Sequence, residues 1–580
     1  MLFVLLFSSL VCQGLSVESY GKDFITAFPE NVAYYHPQDP SNTLQITALY
    51  DDTTVSITFN HTNLFDGKLQ HGQTKTVHFP KYVELYHYAS SDNSVRVSST
   101  KMIMVLWFSQ RGNSIQSSIV KPLNSLGKRY LISPISYTQM MSSLYNITTS
   151  VSWRYNSFRV ILINAENATN NVSIQVSSTD NPKNYNVLLN PYEPYQFPSI
   201  GSIKVTSSNK VNVLLTHPCV ETPGCNCNMV VSPVLPQNLW GDSFVVPSVK
   251  NLNSTWLHVT SSTKVKLQGQ NIKIEVSSSS GLIPFPYLQS ASQFISASDN
   301  VSIRLIGPGF VLELIPKTMF AGCYLVQMNS TKGEAFIIAE TASMGNVYVD
   351  GQLLSSKDWK SIINSSYSSV SVSLSGTHVI WHPDSKIGVY MFERMENGIP
   401  YGGPAGILNE DPDRNGCVAE PEQYKTTTAV MTWPESNDYC LNTTQGLSTP
   451  DSAKAQQEMS KFLLNDNSSG LLWIGLRRSL LTLDWYWQIG NESEFNVDYT
   501  NWAEGHPDKP WKALCASVSQ DAKKTFSWKS APCCTKMRPV CYKKGQYFSD
   551  ITFDSLNDHL YIVTPQGCNS PLCFLLQFSE

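Results

Sequence analysis

Beyond its first fifteen residues the chain has no apolar run near the ~18 residues that a bilayer-spanning helix needs, so it offers no transmembrane segment. The closing Leu572-Cys573-Phe574-Leu575-Leu576 is too short for an anchor or a lipid-anchor signal. Basic clusters are missing too, and the net charge is −4 over 580 residues. That argues against nucleic acid and against an anionic membrane surface as partners. Catalytic signatures are equally scarce. There is no Gly-x-Ser-x-Gly elbow, no His-Glu-x-x-His, no phosphate loop and no dinucleotide fingerprint. The eleven histidines are scattered without zinc-ligand spacing. The triplet His382-Pro383-Asp384, repeated at His506-Pro507-Asp508, is too short to carry weight. The residues therefore support no catalytic role.

What is present belongs to the secretory route. Residues 1–15 form an apolar run that leads into small residues and the polar Ser16-Val17-Glu18-Ser19, the pattern of a signal peptide without its usual positive start. There are thirteen cysteines, and removing Cys12 with the leader leaves twelve, an even number suited to pairing in an oxidising compartment. Candidate glycosylation sequons begin at Asn60, Asn146, Asn167, Asn171, Asn253, Asn300, Asn329, Asn364, Asn442, Asn467 and Asn491. With 42% hydrophobic residues the chain can bury several cores, and its length suggests three to five modules.

Residues 21–395 are rich in Ser, Thr, Val, Ile and Tyr. Alternating stretches such as Thr54-Val55-Ser56-Ile57-Thr58-Phe59 and Ser202-Ile203-Lys204-Val205-Thr206 predict half-buried strands. A repeat underlies them. Gly21-Lys22-Asp23-Phe24-Ile25 recurs as Gly127-Lys128-Arg129-Tyr130-Leu131 and as Gly241-Asp242-Ser243-Phe244-Val245. The first two openings are answered by a polar turn running into an apolar strand, at Val97–Leu106 and Val205–Leu215. A weaker third copy runs from Val301 to Ile315, and a degenerate fourth ends near Ile387-Gly388-Val389-Tyr390-Met391. A period of about 100 residues with roughly seven strands per copy suits tandem β-sandwich-like modules. A β-propeller is the rival, set second because seven strands do not divide into four-stranded blades.

The opening Gly21–Asn31, the Cys225-x-Cys227 with Pro233-Val234-Leu235-Pro236 and Trp240-Gly241, and the closing Tyr401-Gly402-Gly403-Pro404-Ala405-Gly406 resemble, in that order, the IgGFc-binding protein N-terminal domain family. The resemblance covers about 21–408 and implies an extracellular, mucus- or surface-associated binding role. Residues 393–416 carry five Gly and three Pro and read as a linker, confined to 409–416 once the family resemblance is counted.

Further on, Trp473-Ile474-Gly475-Leu476, Asn501-Trp502, Cys515, Trp528, Cys533 and Cys541 resemble a C-type lectin-like domain over about 417–541, an α+β fold. Trp433–Cys440 fits its first helix and Ser452–Leu464 its second, with Ala453, Ala455, Met459 and Leu463 as the apolar stripe. The resemblance implies the pairs Cys440–Cys541 and Cys515–Cys533. Cys534 stands ready to take the role of Cys533, and otherwise Cys417 is its expected partner. Cys219, Cys225, Cys227 and Cys323 suit two disulfides better than a metal site, with Cys225 and Cys227 each reaching Cys219 or Cys323. Residues 542–580 form a C-terminal appendix in which Cys568 and Cys573 pair locally or link chains.

Sugar-binding relatives hold calcium with a Glu-Pro-Asn or Gln-Pro-Asp triplet, an acid near the third-from-last cysteine and an Asn-Asp after the tryptophan. This chain has His506-Pro507-Asp508, Ala513 and Lys529-Ser530 there. Only Asp508 remains a normal ligand, and Lys529 would place an ammonium beside a dication. No metal and no cofactor are expected. The candidate ligand-binding residues are Trp502, His506, Asp508, Trp511, Lys512 and Lys529, aromatic faces with a few polar groups that suit sugar rings or a protein. Trp511, between Pro510 and Lys512, is the best placed for exposure, whereas Trp502 and Trp528 also suit core positions. The expectation is a secreted glycoprotein that binds a glycoconjugate or an extracellular protein without calcium. The alternative is a structural matrix, mucus or egg-coat component, a disulfide-linked oligomer.

Overall fold

The computed structural model describes residues 17–548 apart from short internal stretches, the longest being 142–156, 178–182, 286–290 and 395–399, together with 559–560. The leader, Cys225, Cys568, Cys573 and the sequons at Asn146, Asn253, Asn467 and Asn491 lie outside the described residues. The chain divides into two compact units, residues 1–417 with 548–580, and residues 418–547.

The first unit is almost wholly strand, as the β-branched, alternating sequence predicts. In the first module one long strand, Val95–Arg111, has different neighbours at its two ends. Its first half lies between Tyr20–Thr26 and Thr53–Phe59, with Thr62–Leu69 beyond. Its second half lies between Ser114–Ile119 and Ser41–Ala48, with Thr74–Phe79 beyond. Seven strands thus form two four-stranded groups because one strand serves both. The second and third modules repeat the arrangement around Ser202–Thr222 and Gln293–Gly307.

The strand count that weighed against a radial arrangement is therefore no obstacle. The innermost strands Ser114–Ile119, Asn226–Pro233, Phe310–Glu313 and Pro400–Pro404 pack on one another in cyclic order, the last against the first. Each module is a sandwich-like pair of groups, and four such modules close around the inner strands. Asn228 ties three of them, accepting from Ile115 N–H at 3.0 Å and donating to the Gly309 carbonyl at 2.7 Å. The fourth meets the first where Tyr401 sets its ring edge-on to Phe108. There, too, Ser19 N–H donates to the Ile407 carbonyl at 2.9 Å while its hydroxyl accepts from Ile407 N–H at 3.0 Å.

The repeated Gly-x-x-aromatic opening has a physical cause. Pairing with the long strand shifts register directly after Gly21, Gly127 and Gly241. A Cβ at these glycines would fall 2.5 Å from Cβ of Pro122, Pro236 and Pro316 respectively, the proline that opens the next module. Each of these prolines caps a 3-10 turn, where its fixed φ suits the first position. The aromatic residue closes the motif. Tyr130 Oη accepts from Gly127 N–H at 2.8 Å and donates to the Val211 carbonyl at 2.8 Å.

Residues 400–409, read as part of a linker, are two strands of the fourth module, Pro400–Pro404 and Gly406–Asn409. Two of their glycines serve close packing: a side chain on Gly402 would meet the Met391 carbonyl, and one on Gly406 the Met104 sulfur.

In the second unit, α1 (Trp433–Thr443) starts at Thr432 with a capping box to Glu435. α2 (Ala453–Asn465) starts at Ser452, whose hydroxyl accepts from Ala455 N–H at 3.2 Å. The predicted apolar stripe of α2 is corrected at its start: Ala453 is exposed, and the buried face is Gln456, Met459 and Leu463. Gln456 is tolerated inside because both ends of its amide are bonded, Oε1 to Trp528 Nε1 at 2.8 Å and Nε2 to the Phe526 carbonyl at 3.1 Å. The helices cover strands Gly470–Arg478, Cys515–Gln520, Trp528–Ala531 and Arg538–Lys543 around a core of Leu472, Ile474, Leu476, Trp487, Val518 and Val540. Tyr542–Tyr547, placed in the appendix from sequence, belong to this unit.

Disulfides join Cys440 to Cys541 and Cys515 to Cys533 in the second unit, and Cys219 to Cys227 in the first. The expected Cys417–Cys534 pair is not formed. Cys417 ends the first unit and is bonded to Cys323, which opens the fourth module, while Cys534 is exposed with a free thiol.

Candidate functional site

Strand alternation decides what the second unit presents. Along Trp528–Ala531, Trp528 and Ser530 are buried while Lys529 between them is partly exposed. Trp528 anchors an aromatic cluster, edge-on to Trp487 at 5.5 Å, Tyr499 at 5.8 Å and Trp502 at 5.7 Å. Trp502 also tilts against Trp485 at 4.8 Å and is half-buried, so it forms part of the core wall more than of the surface. The chain around it is pinned by Trp528 N–H to the Asn501 carbonyl at 2.7 Å and Ala503 N–H to the Trp528 carbonyl at 2.9 Å.

This pinning brings His506 and Asp508 to Ser530. Ser530 N–H donates to His506 Nδ1 at 3.2 Å, and the Ser530 hydroxyl lies 3.1 Å from the same nitrogen. Asp508 N–H donates to the Ser530 hydroxyl at 2.7 Å. The peptide between His506 and Pro507 is cis. Arg478 reaches the same loop, with Nη1 3.3 Å from the Asp508 carbonyl and its guanidinium 4.8 Å over the Trp485 ring.

This donor set does not fit a calcium ion, which takes six to eight oxygens, several of them carboxylate. Asp508 is the one carboxylate among the residues at these positions, Ser530 is engaged by His506 and Asp508, and Lys529 adds positive charge beside them. Ser530 bonds the His506 ring and the Asp508 backbone N–H instead.

The other predicted residues lie outward. Trp511 is 77% exposed and Lys512 is exposed. The structure thus ties His506 and Asp508 to Ser530, sets Trp502 against Trp485 and Trp528 in the core wall, and leaves Trp511 and Lys512 on the loop beyond. Sequence reading missed Arg478, Trp485 and Ser530. It also missed the tip between two strands, where Leu480, Leu481 and Leu483 are 73%, 96% and 48% exposed. The unbroken Leu480-Leu481 pair inside a polar turn was the signal available.

Two family models match the chain. The IgGFc binding protein model matches residues 116–392 and the C-type lectin domain model residues 429–543. The chain therefore carries an IgGFc-binding-type region followed by a C-type lectin domain. Among relatives, the IgGFc-binding protein of Homo sapiens is 24% identical over 385 residues, 62% of this chain and 7% of that protein. E-selectin of Bos taurus is 30% identical over 124 residues, 21% of this chain and 24% of that protein. The chain thus spans a small part of either relative. Of solved structures, human lithostathine aligns at 23% identity over 21% of this chain and 92% of its own, with a TM-score of 0.19. The C-type lectin CEL-I from Cucumaria echinata aligns at 22% identity over 21% and 89%, also with a TM-score of 0.19. Both matched models are of binding type.

Proposed function

We propose that this chain, an IgGFc-binding-type ring joined to a C-type lectin domain, is a secreted recognition protein whose lectin-like unit binds a glycoconjugate without calcium. One observation carries the reading. Where relatives hold a metal, the His506 ring and the Asp508 N–H both bond Ser530 beside Lys529, while Trp511 next to them in the chain is left 77% exposed. An exposed indole flanked by Lys512 offers a sugar ring an apolar face and a donor at its edge. Sequon asparagines Asn60, Asn167, Asn171, Asn300, Asn329, Asn364 and Asn442 are all exposed, which suits a protein glycosylated on a secretory route.

The test is binding of the full chain to glycan and protein arrays, with calcium and with chelator. Binding that survives chelator and is lost in Trp511→Ala is expected. Abolition by chelator overturns calcium independence, and protein-only binding overturns the glycoconjugate. A second reading, a matrix component cross-linked through cysteine, draws on the exposed free thiol of Cys534. Covalent oligomers on non-reducing electrophoresis that vanish in Cys534→Ser would favour it.

A further inference from the structure

Where the four inner strands of the first unit end, they leave a space between them. Ile119, Leu235, Ile315 and Ile407, one from each module, line it together with Met319 and Lys121. Its volume is about 50 Å³, and two smaller spaces of about 20 and 30 Å³ adjoin the same lysine. The walls are mostly apolar, with Ser118, Tyr324, Glu313 and Lys121 as their polar members. Nζ of Lys121 bonds the Ser19 hydroxyl at 3.2 Å, and no carboxylate pairs with it among the described residues. The one acid that borders the space, Glu313, is committed elsewhere. Arg304 Nε lies 2.6 Å from it, the Ser302 hydroxyl 2.9 Å and the Ser232 hydroxyl 3.4 Å.

An ammonium among mostly apolar walls without a counter-charge is costly, and buried charges are ordinarily paired. Burial accordingly pulls Lys121 down to about 8. Lys121 is half-buried, whereas the two fully buried cations among the described residues of this unit, Arg159 and Arg304, have their carboxylates, Glu30 at 3.0 Å and Glu313. Lys121 has no such carboxylate among the described residues, and it stands at a space that all four modules line.

We propose that this space binds a small carboxylate, with its anionic head on Lys121 Nζ and the Ser19 hydroxyl and its carbons against the four aliphatic side chains. Size narrows the class. A water-sized group needs roughly 10–15 Å³ by the same measure, so the space of about 50 Å³ holds about three to five such groups, a carboxylate of two or three carbons. A bare inorganic anion would satisfy the ammonium and leave the apolar walls unfilled, and a fatty acid would not fit.

The test uses the full-length protein and ¹³C-labelled propionate, followed by NMR titration. Saturable uptake of one propionate per chain is expected. Lys121→Met keeps the length of the side chain and removes an unpaired charge, so it is expected to fold, with affinity lower by about tenfold or more. Ile407→Phe, which narrows the space and retains the lysine, is expected to lose uptake as well. Lys22→Met, at an exposed lysine, is expected to change nothing. Absence of saturable uptake by the unaltered protein, or equal uptake by Lys121→Met, overturns the proposal. So does chloride competing as strongly as acetate, since the carbons would then contribute nothing.

Discussion

Trp511 stands 77% exposed while Trp528 is wholly buried, so the same truncation asks a different question of each. Trp511→Ala is expected to leave the stability of the second unit within about 0.5 kcal/mol, and to lose ligand on the arrays. Trp528→Ala opens a cavity among Trp487, Tyr499 and Trp502 and orphans Gln456 Oε1, at a cost of about 3–5 kcal/mol. Thermal unfolding followed by tryptophan fluorescence separates the two. In the first unit Glu84 carries a pH dependence. Burial pushes its carboxyl up to about 7, against the opposing bond from Asn42 Nδ2 at 3.0 Å. A carboxyl raised in the folded state binds its proton more tightly folded than unfolded. Its contribution is therefore full below the ordinary Glu value near 4.5 and is lost as pH rises through about 7. Glu84→Gln is expected to remove a decline on the order of 2 kcal/mol between pH 5 and pH 8, read from denaturant midpoints at both. The aromatic and cysteine positions of the lectin-like unit were legible because they recur in a fixed order with distinctive residues. Ser530 and Arg478 were not, because their roles rest on His506 and Asp508, which only the folded loop brings near.

At the scale of the element, the module opening shows what a sequence pattern can and cannot disclose. Gly-x-x-aromatic is visible because the glycine, the register shift and the aromatic ring are all within a few residues. Its partner is not, because Gly21, Gly127 and Gly241 each abut a proline one module further along. Gly241→Ala would drive a Cβ to 2.5 Å from Pro316, and the proline ring cannot give way without moving its turn. A loss of about 1–3 kcal/mol is expected, measured by urea unfolding. Gly345→Ala, where an added Cβ meets nothing within 4 Å, serves as the neutral comparison. The linker reading of 393–416 failed for a related reason. Glycine and proline mark flexible chain and close strand packing alike, and only the pairing of Tyr390–Arg394 with Pro400–Pro404 tells them apart. On α2 the same limit appears in miniature. The 3.6 period places the buried face correctly at Met459 and Leu463, yet it gives no hint that a glutamine with two satisfied bonds would lie between them and the helix start.

The modules of the first unit do not own separate cores. Met229 and Val231 of the second module pack into the core of the first, Ile306 and Val311 of the third into that of the second, and Phe336 and Phe392 of the fourth into that of the third. Removing one module would therefore strip a neighbour as well, and the ring is expected to unfold as one cooperative body rather than module by module. This sharing is also why a period of about 100 residues left the closure open: the period describes the unit, and the shared residues decide how units meet. The second unit has a core of its own, built from Leu472, Ile474, Trp487 and Trp528. Calorimetry of the full chain is accordingly expected to show two transitions. The Cys323–Cys417 bond closes a span of 94 residues within the first unit. In the chain-entropy account a loop of that length is worth about 4–5 kcal/mol. Replacing both cysteines by serine should then lower the ring's transition and leave the lectin-like unit's transition in place. A single merged transition in the unaltered protein, or an equal downward shift of both in the double variant, would show that the two units are energetically one.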